Sequence, residues 1–284
     1  MGERFKTLRR TPRRSPPTLS EESALRTIGE PPYLSTLPLY HALRATGISQ
    51  DFDVSRARLS HLSERLVNGT IDAGPISVLT YLQHRESLDL IPNMALSSMG
   101  AGGSGVLVST KPIGTSAEFE VAVPSLRDGT VYLLRWLFAE MFGYEPMLVE
   151  RVGNPEHLLE EHGAALLFED QALSARYRTP DLHVWDLGDA WWQCTHTPLL
   201  YMLWVARKEV PETEREALAA RFGEAKRSLP ALKVEILKDA QEQSGYPAEY
   251  LSNFWSRFNY DFTPAHQTSL RLFEQYVYSL DPAR

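Results

Sequence analysis

The side chains best placed to do chemistry in this sequence are hydroxyls standing where an apolar run gives way to a helix or a turn. Ser35 and Thr36 precede LPLYHALRA, Ser77 follows IDAGPI, Ser104 lies in the turn MGAGGSG, and Thr130 opens TVYLLRWLFAEMF. Singly, each is explained as a helix cap or turn former. Four at corresponding points allow a second use. Helix N-termini carry unpaired N–H groups and the positive end of the helix dipole, which bind carboxylates without lysine or arginine. A cleft lined in this way can hold a small dianion.

Other chemistries lack their residues. His157 and His162 in HLLEEH are five apart, off the i, i+4 spacing of a helical zinc pair, and no metal site is expected. Gly100, Gly102, Gly103 and Gly105 form neither a G-x-x-x-x-G-K-S/T loop nor a full G-x-G-x-x-G. They fit a tight turn whose backbone approaches a ligand. No G-x-S-x-G nucleophile elbow is present. The single cysteine, Cys194, reads as a small buried thiol.

The elements that must position the hydroxyls alternate between short strands and helices. A strand is expected at Ala24–Ile28, then a helix capped by Ser35 or Thr36, with Pro38 in its first turn, ending at Gly47. An extended stretch at Phe52–Val54 precedes a helix at Ser60–Val67, stopped by Asn68–Gly69. Ile71–Ile76 reads as a buried strand running into a helix capped by Ser77. Strands follow at Leu88–Ala95 and Gly105–Ser109. A second set comprises strand Glu118–Val123, helix Thr130–Phe142, strand Met147–Val152, helix Glu156–Glu161, strand Ala164–Phe168, a helical turn from Ala172, and strand Pro198–Ala206. Beyond Pro211 three helices are expected: ETEREALAARFGEAKRSL, AEYLSNFWSRF and PAHQTSLRLFEQYVYSL. Two α/β halves with a helical C-terminus place a site in the cleft between them.

With 284 residues, 43% hydrophobic and 23% charged, the chain can bury the core of two lobes. The net charge of −7 is uneven: residues 1–20 carry +5 and the remainder −12. So acidic a body argues against nucleic acid as a partner. RRTPRRSPP reads as part of a disordered basic leader, residues 1–23, rather than a nucleic-acid arm or transit segment. No run approaches the ~20 apolar residues that span a bilayer, and the N-terminus lacks the apolar stretch of a secretory signal. A cytoplasmic protein without membrane contact is expected, as a monomer or homodimer.

Five segments, in order, resemble the menaquinone-biosynthesis family that includes the chorismate dehydratases of the futalosine route. YLSTLPLY (Tyr33–Tyr40) is similar to Tyr-Leu-Asn-Thr-x-Pro-Leu, and NGTIDAGPISVLTYL (Asn68–Leu82) to Gly-x-Ile-Asp-Ala-x-x-x-Ser-x-x-x-Tyr. GAGGSGVLVS (Gly100–Ser109) resembles Gly-Pro-Val-x-Ser-Val with its following strand. GAALLFEDQAL (Gly163–Leu173) resembles Asp-Ala-x-Leu-x-Ile-Gly-Asp-x-Ala-Leu. DLGDAWWQCTHTPLLYMLWVAR (Asp186–Arg207) resembles Asp-Leu-Gly-x-x-Trp followed by an apolar strand ending in Trp-x-x-Arg.

The resemblance implies a periplasmic-binding-protein-like type II fold: α/β, two lobes with mixed sheets, and crossover strands near Val106–Ser109 and Leu200–Val205. Lobe 1 would comprise 24–108 plus 205–284, and lobe 2 109–204. It implies loss of water from chorismate, giving 3-(1-carboxyvinyloxy)benzoate, without a cofactor. The family's active-site serine falls on Ser104 and its asparagine on Ser35, so either Thr36 or a water takes over the amide's contacts or the activity is altered. Thr36, Leu37, Ser77, Gly103, Thr130, Val131 and Asp170 would complete the substrate site. The family's Gly-Asp is Glu169–Asp170 here, at the mouth of the cleft. Without an obvious general base, the substrate's own enolpyruvyl carboxylate is expected to take the ring proton. The alternatives are the sister enzyme that makes dihydroxynaphthoate, whose opening motif differs, and a non-catalytic binding or sensing protein of the same fold.

Overall fold

The computed structural model describes residues 25–47, 52–115, 120–179 and 181–280. The expected leader, Ala24 and Glu118 lie outside them. Two mixed sheets form the frame. The first has the order β11-β4-β10-β3-β1-β2, from β1 (Thr27–Glu30), β2 (Asp53–Arg56), β3 (Ala73–Ile76), β4 (Leu88–Ser98), β10 (Leu199–Arg207) and β11 (Phe258–Asn259). Here β1 runs parallel to β2 and β3, whereas β10 runs antiparallel between β3 and β4. The second has the order β7-β6-β8-β5-β9, from β5 (Gly105–Ser109), β6 (Glu120–Val123), β7 (Met147–Glu150), β8 (Ala164–Phe168) and β9 (His183–Asp186). β6 is parallel to β7 and β8, and β5 is antiparallel to β8 and β9.

Helices fill the connections that parallel strands require. They are α1 (Leu37–Ala45), α2 (Leu59–Val67), α3 (Val78–His84), α4 (Gly129–Phe142), α5 (Pro155–His162), α6 (Glu169–Arg178) and α7 (Leu187–Thr195). β3 is buried at every position, and a Cβ on Gly74 would lie 3.0 Å from the Gly29 backbone. Only glycine lets β1 and β3 approach so closely. One buried cluster unites the lobes, with Leu79 of α3, Leu133 of α4, Leu187 of α7 and Leu203 of β10 among its members.

The structure departs from the expected elements at several points; α6 starts at Glu169 rather than Ala172, and Phe258 leaves the expected helix for β11. β1 begins at Thr27, because Asp72 Oδ2 accepts from the N–H groups of both Arg26 and Thr27 and fixes the approach to the strand. β4 continues to Ser98, beyond Ala95, because β10 pairs with it along its length through two register shifts. β9 and α7 were not anticipated: β9 is short and partly exposed, and α7 starts because the Asp186 side chain accepts from Gly188 N and Asp189 N. α8 (Glu212–Ser244) is a single helix of 33 residues carrying Pro230 inside it, whereas the sequence suggested a stop at Leu229. Packing of Leu229 and Leu232 on the first lobe's core holds it across the proline. After it come α9 (Ala248–Trp255) and α10 (Pro264–Tyr276).

The expected lobe limits also move. β5 belongs whole to the second sheet and β10 whole to the first, so neither strand crosses between sheets. The chain changes sheet between Ser98 and Gly105, and returns between Asp186 and Leu199 by way of α7.

Candidate active site

Three chain segments meet where the two sheets face each other: the loop entering α1, the glycine-rich passage from β4 to β5, and the junction of β8 with α6. Between them is a cleft of about 590 Å³, whose lining includes Tyr33, Ser77, Ser104, Thr130, Glu169 and Tyr201. At the cleft wall, Ser104 Oγ donates to Glu169 Oε1, and Ser35 Oγ, which lies behind Glu169 and does not line the cleft, donates to Glu169 Oε2, each at 2.6 Å. Both serines are buried. Two hydroxyls from distant parts of the chain thus grip the two oxygens of one carboxylate.

The backbone holds this pair from several sides. Glu169 N donates to Ser104 O at 2.7 Å. Tyr260 Oη donates to Ser35 O at 2.7 Å, and Trp255 Nε1 to Leu34 O at 2.7 Å. Asp170 Oδ1 accepts from Leu34 N at 3.1 Å. Glu169 itself has φ +49°, a left-handed conformation that favours glycine. Burial pushes its carboxyl up from 4.5 to about 7, against the lowering effect of the hydrogen bonds from Ser104 and Ser35.

The sign of that shift fixes a stability prediction. Between 4.5 and about 7 the folded chain holds a proton on Glu169 that the unfolded chain has released. This contribution to stability is complete below the lower value and disappears as pH rises through the upper one. The urea midpoint of the wild type, relative to Glu169→Gln, is expected to fall between pH 5 and pH 8. An unchanged difference would show that Glu169 is not the group responsible.

The other expected site residues are distributed as follows. Ser77 lines the cleft and caps α3, accepting from Thr80 N at 3.1 Å. Thr130 lines the cleft, but the cap of α4 is Asp128, whose Oδ1 accepts from Thr130 N at 2.8 Å. The dipole end of α4 is therefore already matched by a carboxylate. Thr36 is buried and donates back to Pro31 O and Tyr33 O, so it does not take over an amide's role beside Ser35. Gly103 gives its N–H to Asp186 Oδ2 at 2.7 Å rather than to the cleft. Val131 is a fully buried core residue. Leu37 and Asp170 line a separate cavity of about 330 Å³ beside Arg44 and Arg56.

Asp186 anchors the passage behind Ser104. It also accepts from Gly102 N and Gly188 N and meets Arg176 Nη1 at 3.3 Å, while burial pushes its carboxyl up. Tyr201 Oη lies 2.9 Å from Ser98 Oγ, and its phenol is pushed up by burial. The sequence reading did not place Tyr33, Tyr201 or Tyr260 at the site. Glu169, expected at the mouth of the cleft, lines the cleft beside Ser104, and a glutamate where the related pattern has glycine is the sequence signal for it.

A family model described as menaquinone biosynthesis matches residues 26–279. The chorismate dehydratase of Thermus thermophilus is 27% identical over 263 residues, covering 87% of this chain and 93% of that protein. Among solved structures, a protein from Archaeoglobus fulgidus matches with TM-score 0.73 and 17% identity, over 91% of this chain and 98% of that one. The periplasmic aliphatic sulphonate binding protein of Escherichia coli matches with TM-score 0.64 and 13% identity, over 90% and 87%. The likeness to these solved structures shows the fold, that of the periplasmic binding proteins.

Proposed function

The chain belongs to the menaquinone biosynthesis family, and we propose that it removes water from chorismate to give 3-(1-carboxyvinyloxy)benzoate. This is a carbon–oxygen lyase reaction that requires no cofactor, carried out by a cytoplasmic protein. The observation that carries the reading is the pair of hydroxyls, Ser35 Oγ and Ser104 Oγ, converging at 2.6 Å on Glu169, whose side chain lines the interlobe cleft with Ser104. Each hydroxyl has one proton to give and gives it to Glu169, so the pair's work in the cleft is to orient that carboxylate. Arg127 adds a cation to the lining of the same cleft.

Elimination takes the ring hydroxyl and a neighbouring ring proton, and the ring becomes aromatic. With the driving force in the substrate, the protein's work is to fix conformation and stabilise charge. Purified protein mixed with chorismate, followed by chromatography and mass spectrometry, is expected to yield the dehydrated enolpyruvyl benzoate. Chorismate recovered unchanged from folded protein would refute the reading; a complex that retains it intact would indicate a binding protein.

A further inference from the structure

We propose that Glu169 is a catalytic residue of this elimination: its carboxylate takes the ring proton of the bound substrate and passes it to the departing hydroxyl. The inference rests on the dehydration reading above. The C–H bond breaks, its electron pair becomes a ring π bond, and the C–O bond breaks with its pair on oxygen. The proton now on Glu169 then joins the hydroxide to form water, so the side chain ends as it began. A base supplied by the protein replaces the substrate carboxylate that the sequence resemblance suggested for this step.

Three observations support the assignment. Glu169 lines the cleft beside Ser104 and Tyr201, within reach of a ligand seated there, and its two oxygens are oriented by Ser35 and Ser104. Its surroundings differ from those of the chain's other sheltered acids. Glu30 has Arg44 at 2.8 Å and Arg56 at 3.2 Å, and Asp186 has four backbone N–H groups and Arg176. Both of those acids have an arginine beside them. Glu169 is held by hydroxyls alone, and the titratable groups that act on it or feel it are Asp170, Tyr33, Tyr201 and Tyr260, with no cation among them. Such a group changes protonation near neutrality, as a general base must. Finally, Glu169 is a non-glycine residue in the left-handed region, at φ +49°, a strained conformation of the kind found at functional sites.

The test is steady-state kinetics on chorismate from pH 5.5 to 9, using the full chain and the variants Glu169→Gln, Glu169→Asp and Glu169→Gly. Wild-type kcat is expected to rise with pH through an inflection near 7. Glu169→Gln fills the same space without accepting a proton, and should lose roughly 10²- to 10⁴-fold in kcat with little change in KM. Glu169→Gly should regain rate in proportion to added formate. If Glu169→Gln does not fold, Glu169→Asp carries the test through a displaced pH inflection. Glu169→Gln within tenfold of wild type, Glu169→Gly matching wild type without formate, or Glu169→Asp with an unaltered profile would each overturn the role of Glu169 alone. A wild-type protein inert towards chorismate would overturn the dehydration reading and this inference together.

Discussion

Ser104→Ala is expected to lower kcat on chorismate by roughly 10²-fold and to move the inflection of the pH–rate profile upward. The two effects have one origin. Ser104 Oγ donates to Glu169 Oε1 at 2.6 Å, which stabilises the ionised carboxylate. Without that donor the carboxylate is harder to form, and its Oε1 is no longer held in place. The fold should survive, since alanine keeps the Cβ and one lost hydrogen bond costs about 1 kcal/mol. Ser35→Ala removes the matching donor on Oε2. The double variant should lose less than the two single losses multiplied, because both hydroxyls act through one group. Full turnover by a folded Ser104→Ala protein would exclude the role assigned to this serine.

Gly188→Ala should have the largest effect on stability, about 3 kcal/mol, read as a lowered urea midpoint. A Cβ at this position would lie 2.6 Å from Gly100 O, 2.6 Å from Tyr201 Oη and 2.8 Å from Ser98 Oγ. The first of these is backbone, which cannot swing aside. Gly188 opens α7, on the chain's return to the first sheet, while Gly100 lies on its outward passage. The added methyl pushes the two passages apart and displaces the turn that presents Ser104, so activity should fall with stability. Gly223→Ala provides the contrast. Its Cβ would meet only the end of Arg227, 3.3 Å away and flexible, within α8. There the gain of about 0.5–1 kcal/mol usual for alanine over glycine in a helix should appear. Equal losses at both positions would show that crowding at the passages is not the cause.

Much of the frame was legible because short apolar runs bounded by glycine, proline and capping residues have few other uses. The segments ending at Ser77 and beginning at Gly105 are examples, as are helices stopped by Gly143 and Gly163, both left-handed. Elements governed by distant partners were not legible. Nothing local shows that α8 passes Pro230, since α1 and the first sheet hold it there. Nor does local sequence show that Thr36 turns its hydroxyl to Pro31 and Tyr33, or that Asp128 rather than Thr130 caps α4. At the site, Ser35 and Ser104 were recognised through the resemblance. Their meeting on Glu169 depends on the packing of two lobes, which no short-range pattern records.

The order in which the strands are written into the chain bears on how the protein is made. All five strands of the second sheet fall within one uninterrupted stretch, Gly105–Asp186, whereas the first sheet lacks its middle strand until Leu199–Arg207 has been synthesised. On a ribosome, the later-coded lobe can therefore close around its own core while the earlier one is still open. Ser35 waits longest: the phenol that holds its carbonyl, Tyr260, is 225 residues downstream. A nascent chain carries both serines and the glutamate well before Tyr260 can hold the Ser35 carbonyl, so the site is complete only once the last helices have left the exit tunnel.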